Sequence, residues 1–252
     1  YDFIDLKDYD YVPLNSSQAH IFFQNDNWNG YLFSILISKL KPSIKFKKKR
    51  CSIELTNKSL RKKFIPKLLD LFKNIVCKAL SSFSNKKEKF IISSYLGTLN
   101  EIKLQLKSNN ILKFNRNLTL DKNIEVNKKL RSLKKNNIKD NLKAPLLTKL
   151  VIKFLPRSYL ENFENYRNYG NKETFWPRKP KLIFTSNSHF TNDIFKIWSA
   201  EKRENKIKFI VGQHGSGYMF PRYSTPYDRD IYSCDKFLFW GKKKFNNKKI
   251  YS

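Results

Sequence analysis

Apolar residues along this chain fall into short continuous runs separated by longer stretches of helical repeat. Residues 181–185 (KLIFT), 208–211 (KFIV) and 236–240 (KFLFW) are apolar runs bounded by polar or glycine turns, and each predicts a buried strand. Between the first two, residues 190–204 place Phe190, Ile194, Phe195, Ile197, Trp198 and Ala200 at helical spacing, which predicts an amphipathic helix. Strand, helix and strand in succession require parallel strands joined by a right-handed crossover. Residues 89–95 predict another strand, 100–108 a helix and 111–114 a short strand, so the unit recurs upstream. The pattern predicts an α/β fold, with a Rossmann-like open, mostly parallel sheet flanked by helices.

The rest of the chain reads less regularly. Residues 1–14 are extended or loop. Asn15, Ser16 and Ser17 cap a helix that passes through His20 and Phe23, is interrupted near Asn29 and Gly30, and reaches Leu40, with His20 on its packing side. The basic run 45–50 reads as a solvated loop. Leu68, Leu69, Phe72, Ile75, Val76, Ala79 and Leu80 predict a helix over 64–82, with Pro66 in its first turn. Residues 121–139 form an exposed helix or connection, and 146–154 a firmer helix. A break at Leu155-Pro156 leads to a short helix ended by Gly170. The expected division is a helical and extended segment, 1–63, packed on an α/β domain, 64–252.

Length and composition change this picture little. The chain has 252 residues, 40% of them hydrophobic, enough for a buried core. It opens at Tyr1 rather than Met and closes at Ser252 just after an apolar run, so a piece of a longer protein is expected. The formal charge of +30 points to polyanions or anionic membranes. Its excess is mostly lysine spread along the chain, whereas arginine, which reads phosphate bidentately, is scarce. A solvated basic surface is the simpler reading; no specific nucleic-acid partner is expected, and peripheral contact with an anionic membrane stays open. Cys51, Cys77 and Cys234 form no CxxC pair, which argues against a disulfide framework or structural zinc and suits a reducing cytoplasm.

Candidate chemistry gathers at the carboxyl ends of the predicted strands. Phe209-Ile210-Val211 runs into Gly212, Gln213, His214, Gly215, Ser216, Gly217 and Tyr218, where glycines let backbone amides approach a bound anion. The preceding strand delivers Ser186, Asn187, Ser188 and His189 to the same edge of the sheet, where ligands bind in open α/β folds. A neutral His214 can accept a proton from a hydroxyl, and a charged one can stabilise a leaving phosphate. Tyr218 and Arg222 could stack on a base or sugar and neutralise phosphate. The chain contains neither GxxxxGK[ST] nor GxGxxG, so NTPase and dinucleotide readings find no support. His189 with His214 is a thin zinc pattern, and Asp228 with Asp230 reads more simply as solvated turn acids than as a metal-nucleotide pair. No metal and no cofactor is assigned.

One resemblance sharpens this. Pro180 through Asn187, then Asp193, Phe195, Lys196, Trp198, Ala200 and Glu201, then Val211-Gly212-Gln213-His214-Gly215, then Asp235 and Trp240-Gly241 stand in a characteristic order. With Ile91 through Leu96 and Leu155-Pro156, Tyr159-Leu160-Glu161 upstream, the likeness spans about residues 64–241. The stretch resembles a family of transferases encoded in bacterial surface-polysaccharide (O-antigen and capsule) gene clusters, which is similar in outline to GT-B glycosyltransferases. Here Ser216, Met219 and Lys242 stand where the family pattern has glycine, glycine and an aromatic residue. The resemblance implies the N-terminal half of a two-domain GT-B-like protein, with a second Rossmann-like domain following residue 252. It implies catalysis by His214, and a cleft lined by Gln213, Gly215, Ser186 and Asn187.

Two functions follow as expectations. The first is a cytoplasmic transferase, peripheral to the inner membrane at most, that moves a sugar or polyol phosphate from a nucleotide-activated donor to a glycan or lipid-linked glycan acceptor. The alternative is a basic module that binds nucleic acid or anionic lipid without catalysis.

Overall fold

Near-continuous apolar strands belong where both faces of a sheet are covered, and KFII, LIFT and KFIVG meet that requirement. The computed structural model describes residues 2–5, 11–40, 43, 47–50, 88–108, 110, 117–120, 124–136, 145–173, 176–215, 225–241 and 248–251. The chain divides into two compact units, one made of Tyr1–Lys62 with Asp121–Glu164, the other of Lys63–Leu120 with Asn165–Ser252. Residues 121–164 therefore group with the N-terminal segment, although they interrupt the second unit in sequence.

Five strands of the second unit form one parallel sheet: β3 (Lys89–Ile92), β4 (Leu182–Thr185), β5 (Lys208–Gly212), β6 (Lys236–Leu238) and β7 (Ile250–Tyr251). Their spatial order follows their sequence order, and Ile92, Thr185, Val211 and Phe237 stand in register. The carboxyl ends of β3, β4 and β5 consequently lie side by side. The sheet is the α/β, Rossmann-like open arrangement that the strand pattern predicts. Its described strands contain no reversal of order, so the candidate site rests on the carboxyl edge alone.

Helix α8 (Asp193–Glu204) lies between β4 and β5 in sequence and buries Ile194, Phe195, Ile197 and Trp198. Asn192 caps it by accepting from the Phe195 amide at 2.9 Å, which separates α8 from the single turn α7 (Ser188–Thr191). The 190–204 helix expected from periodicity is thus two pieces. Trp198 packs against Phe90 and Trp176 with ring centroids 4.9 and 5.3 Å apart. Such ring pairs add about 0.5–1.5 kcal/mol each beyond the area they bury.

Helix α3 (Thr98–Lys107) matches the upstream helix. The expected strand at 111–114 and the expected helix at 64–82 lie outside the described residues. Helix α9 (Thr225–Ser233) was not legible as a helix and precedes β6.

In the first unit, β1 (Asp2–Asp5) pairs in parallel with β2 (Lys47–Arg50). The basic run read as a solvated loop is therefore a strand at 47–50, held by backbone pairing that lysine side chains do not oppose. Asn15 caps α1 (Ser16–Phe23) as expected, accepting from the Gln18 amide at 2.9 Å. The break comes at Gln24 and Asn25 and not at Asn29-Gly30: Asn25 accepts from the Trp28 amide at 3.1 Å and starts α2 (Asp26–Leu40), which carries Gly30 inside it. His20 bonds Gln24 at an exposed position while Ala19 and Phe22 take the packing side.

Helices α4 (Lys128–Asn136) and α5 (Pro145–Phe154) complete this unit, followed by a 3-10 turn at Arg157–Tyr159. Phe22, Trp28 and Tyr31 form its core with Leu32, Ile35 and Phe154 against them. Arg131 is only 1% exposed, and its guanidinium grips both oxygens of Glu161 at 2.7 and 2.6 Å. Its remaining nitrogen donates to the carbonyls of Ile152 and Lys153 at the end of α5. A helix thought exposed is thereby anchored by a buried ion pair. Helix α6 (Phe163–Asn168) and a π-helical turn at Tyr169–Glu173 lead into the last third of the chain.

Candidate active site

Where β4 ends, the polar corner is tied down by its own hydroxyls. Thr185 Oγ1 accepts from the amides of Asn187 and Ser188 at 3.3 and 3.0 Å. Ser186 donates through its amide to the Ser93 carbonyl and through its hydroxyl to the Ser94 carbonyl, both at 3.0 Å, joining the ends of β3 and β4. Asn187 donates to the Tyr95 hydroxyl at 3.0 Å. Ser93 and Tyr95 hold φ of 48° and 59°, the left-handed region that non-glycine residues enter at some cost. Backbone strain of this kind collects where a loop must aim its groups.

At the end of β5, Gly212 is required by space. A Cβ there would stand 2.8 Å from Ser186 Oγ and 3.0 Å from the Phe184 ring. Because Ser186 is buried and its hydroxyl is committed, Gly212→Ala costs about 1–3 kcal/mol of stability, measured by urea denaturation. Gly215 differs: a Cβ added there would meet nothing within 4 Å among the described residues.

Two imidazoles converge on one carboxylate. Asp230, on α9, is fully buried. Its Oδ1 lies 2.7 Å from His189 Nε2 and 2.9 Å from an Arg229 nitrogen, and its Oδ2 lies 3.7 Å from His214 Nδ1. The His214 side chain is 21% exposed. Its ring stands 6.4 Å from that of Tyr95, centroid to centroid, and it also hydrogen bonds the Ser186 backbone. Arg229 stacks on Phe190 at 4.2 Å. The His189 ring is buried, and its Nδ1 has no hydrogen-bond partner among the described residues.

The corner of β4 and the loop of β5 therefore share one site in the second unit, with α9 supplying its charge. A family model described as LIC12162 family transferase matches residues 3–252. The chain belongs to that family. Comparison with curated proteins and with solved structures finds no match.

Within this transferase, burial pushes the His214 imidazole below its ordinary value of 6.5. Asp230 opposes the shift, and His189 and Arg229 reinforce it. The ring is consequently neutral at pH 7, the form that accepts a proton. The Gln213 side chain donates to the Gly215 carbonyl at 2.5 Å and accepts from the Trp240 amide at 3.0 Å, clamping the loops after β5 and β6. Ser186 is likewise spent on backbone, whereas Asn187 remains half-buried at the edge. Ser216, Gly217, Tyr218 and Arg222 lie outside the described residues.

Asp230 is the residue that sequence reasoning missed. The sequence alone reads it as a solvated turn acid, yet it lies on the buried side of α9 with Ile231 and Cys234 following inward. A carboxylate at helical spacing from buried apolar positions was the available signal, since a fully buried acid nearly always has a partner. The transferase holds no group of three or more His, Cys, Asp or Glu residues that could bind a metal, among the described residues. Cys234 is buried and its thiol is pushed up to about 11, so it is a packing residue.

Proposed function

We propose that this transferase moves a sugar, or a related polyol phosphate, from a nucleotide-activated donor to a glycan acceptor of surface-polysaccharide synthesis. The observation that carries the reading is the partly exposed His214 at the carboxyl edge of a parallel sheet, with the buried Asp230 carboxylate 3.7 Å from its Nδ1. As the acceptor hydroxyl attacks, its O–H bond breaks and the proton passes to the imidazole. A new bond forms from that oxygen to the donor's anomeric carbon or phosphorus, and the nucleotide phosphate leaves with the electron pair.

The surrounding edge suits such a donor. Tyr95 and Trp240, after β3 and β6, expose 58% and 57% of their surface, and both rings are of the kind that stacks on a base or sugar. Gly215 is half-buried and no described residue crowds it, which suits approach of phosphate oxygens to its backbone. The Rossmann-like parallel sheet suits one half of a GT-B-like pair, and by that reading a second domain would complete the site for the donor's nucleotide. A cytoplasmic location accords with the three cysteines read above. No described helix is long and apolar enough to cross a membrane.

Incubation with a panel of nucleotide sugars and glycan acceptors tests the reading. Turnover of one donor that depends on acceptor supports it, whereas polyanion binding without turnover of any donor sinks it in favour of a basic binding module. Asp230→Asn adds a finer check. It removes the charge that raises the His214 pKa, so the acid limb of the rate profile moves to lower pH, and misplacement of the ring lowers kcat by about 10²-fold. An unmoved limb would assign Asp230 to packing alone.

A further inference from the structure

The first unit carries an open apolar cavity of about 430 Å³ lined by none of the candidate site's residues. Trp28, Leu32 and Leu36 line it from one face of α2, and Leu147, Leu150 and Val151 from one face of α5. Helices that share a core ordinarily close to crystal-like density, and these two leave room within the roughly 300–1,000 Å³ of small-molecule sites. The rim is apolar as well: Phe23, Leu147 and Val151, all of which line the cavity, are each more than half exposed. On α2, Phe33 and Leu40 are exposed by 63% and 69%.

The chemistry of the wall selects an occupant. Among the lining residues only Trp28 has a hydrogen-bonding side chain, so a sugar, nucleotide or peptide would enter with its polar groups unpaired. A hydrocarbon chain would not. Charge completes the match: beside the buried Arg131, which Glu161 neutralises, α4 exposes Lys128, Lys129 and Lys134, α5 carries Lys149 and Lys153, and neither helix has an acid. An apolar slot beside cationic helices calls for an amphiphile with a negative head.

We propose that this cavity takes an acyl chain of an anionic phospholipid and docks the protein peripherally on a membrane surface, the exposed rim entering the interface. The inference concerns the first unit alone and stands whether or not His214 transfers a proton.

Co-sedimentation of the 252-residue protein with vesicles tests it, using phosphatidylcholine alone and phosphatidylcholine with phosphatidylglycerol. Binding is expected only with the anionic lipid. Leu147→Glu with Val151→Glu should weaken it by about tenfold or more, and both positions are exposed enough to leave the thermal midpoint unchanged. Phosphatidylglycerol brominated on its acyl chains should quench indole fluorescence in the native protein, and that quenching should fall in Trp28→Phe. Equal vesicle binding by the double variant and the native protein would reduce the effect to the basic surface and overturn the proposal. So would absence of vesicle binding, quenching unaltered in Trp28→Phe, or a native dimer that the double variant breaks, which would give the face to a second copy.

Discussion

Alanine at position 214 lowers group transfer by about 10²- to 10⁴-fold, the range that a positioned general base contributes, and leaves the thermal midpoint near that of the native chain. The initial rate with the nucleotide-activated donor is the measurement. The fold tolerates the change because the ring is partly exposed and the buried partner, Asp230, keeps His189 and Arg229. Native turnover in His214→Ala would remove the residue from the chemistry.

The pH dependence gives the same residue an independent reading. Burial depresses the folded imidazole below the unfolded one, so the native chain binds fewer protons than the unfolded chain as the pH drops. The stability contributed is present above the ordinary imidazole value and is lost as pH falls through the folded value. Activity and stability should both decline on the acid side of 6.5, and removal of the ring should flatten that part of the stability curve.

Removing Glu161 is the largest expected loss of stability. Glu161→Ala leaves the Arg131 guanidinium, 1% exposed, with its two carbonyl acceptors but no countercharge, and breaking a buried pair from one side costs about 3–5 kcal/mol. Equilibrium urea unfolding reads the effect directly. Replacing both partners, Arg131→Met with Glu161→Leu, should recover most of the loss, because the desolvation cost disappears together with the attraction. A double variant as unstable as the single one would show that the carbonyl contacts of Arg131, and not the charge pair, hold the end of α5.

The sheet was legible because its strands are buried on both faces: LIFT and KFIVG are apolar at almost every position, and the small polar residues after them mark where each stops. Ser186 and His214 could be placed on one edge for that reason alone. Helix α9 was not legible, since TPYDRDIYS mixes aromatic, acidic and basic residues and its inward face is set by Asp230 as much as by Ile231. Strand β2 was hidden by its composition, four basic residues whose backbone pairing carries no hydrophobic signature. The role of Arg131 was invisible for a further reason. Its partner lies 30 positions away, and nothing local distinguishes it from the solvated lysines on either side.

The way the two units are strung along the chain constrains how they can be made and dissected. The segment completing the first unit, Asp121–Glu164, is threaded between β3 and β4, which are hydrogen-bonded neighbours in the second. Any single cut near residue 62, 120 or 164 therefore strands part of one unit or the other, and an excised fragment begins with an unfilled core. On the ribosome, β3 must wait for β4 until that whole excursion has emerged, so sheet closure is a late, long-range event and synthesis favours the first unit to finish ahead of it.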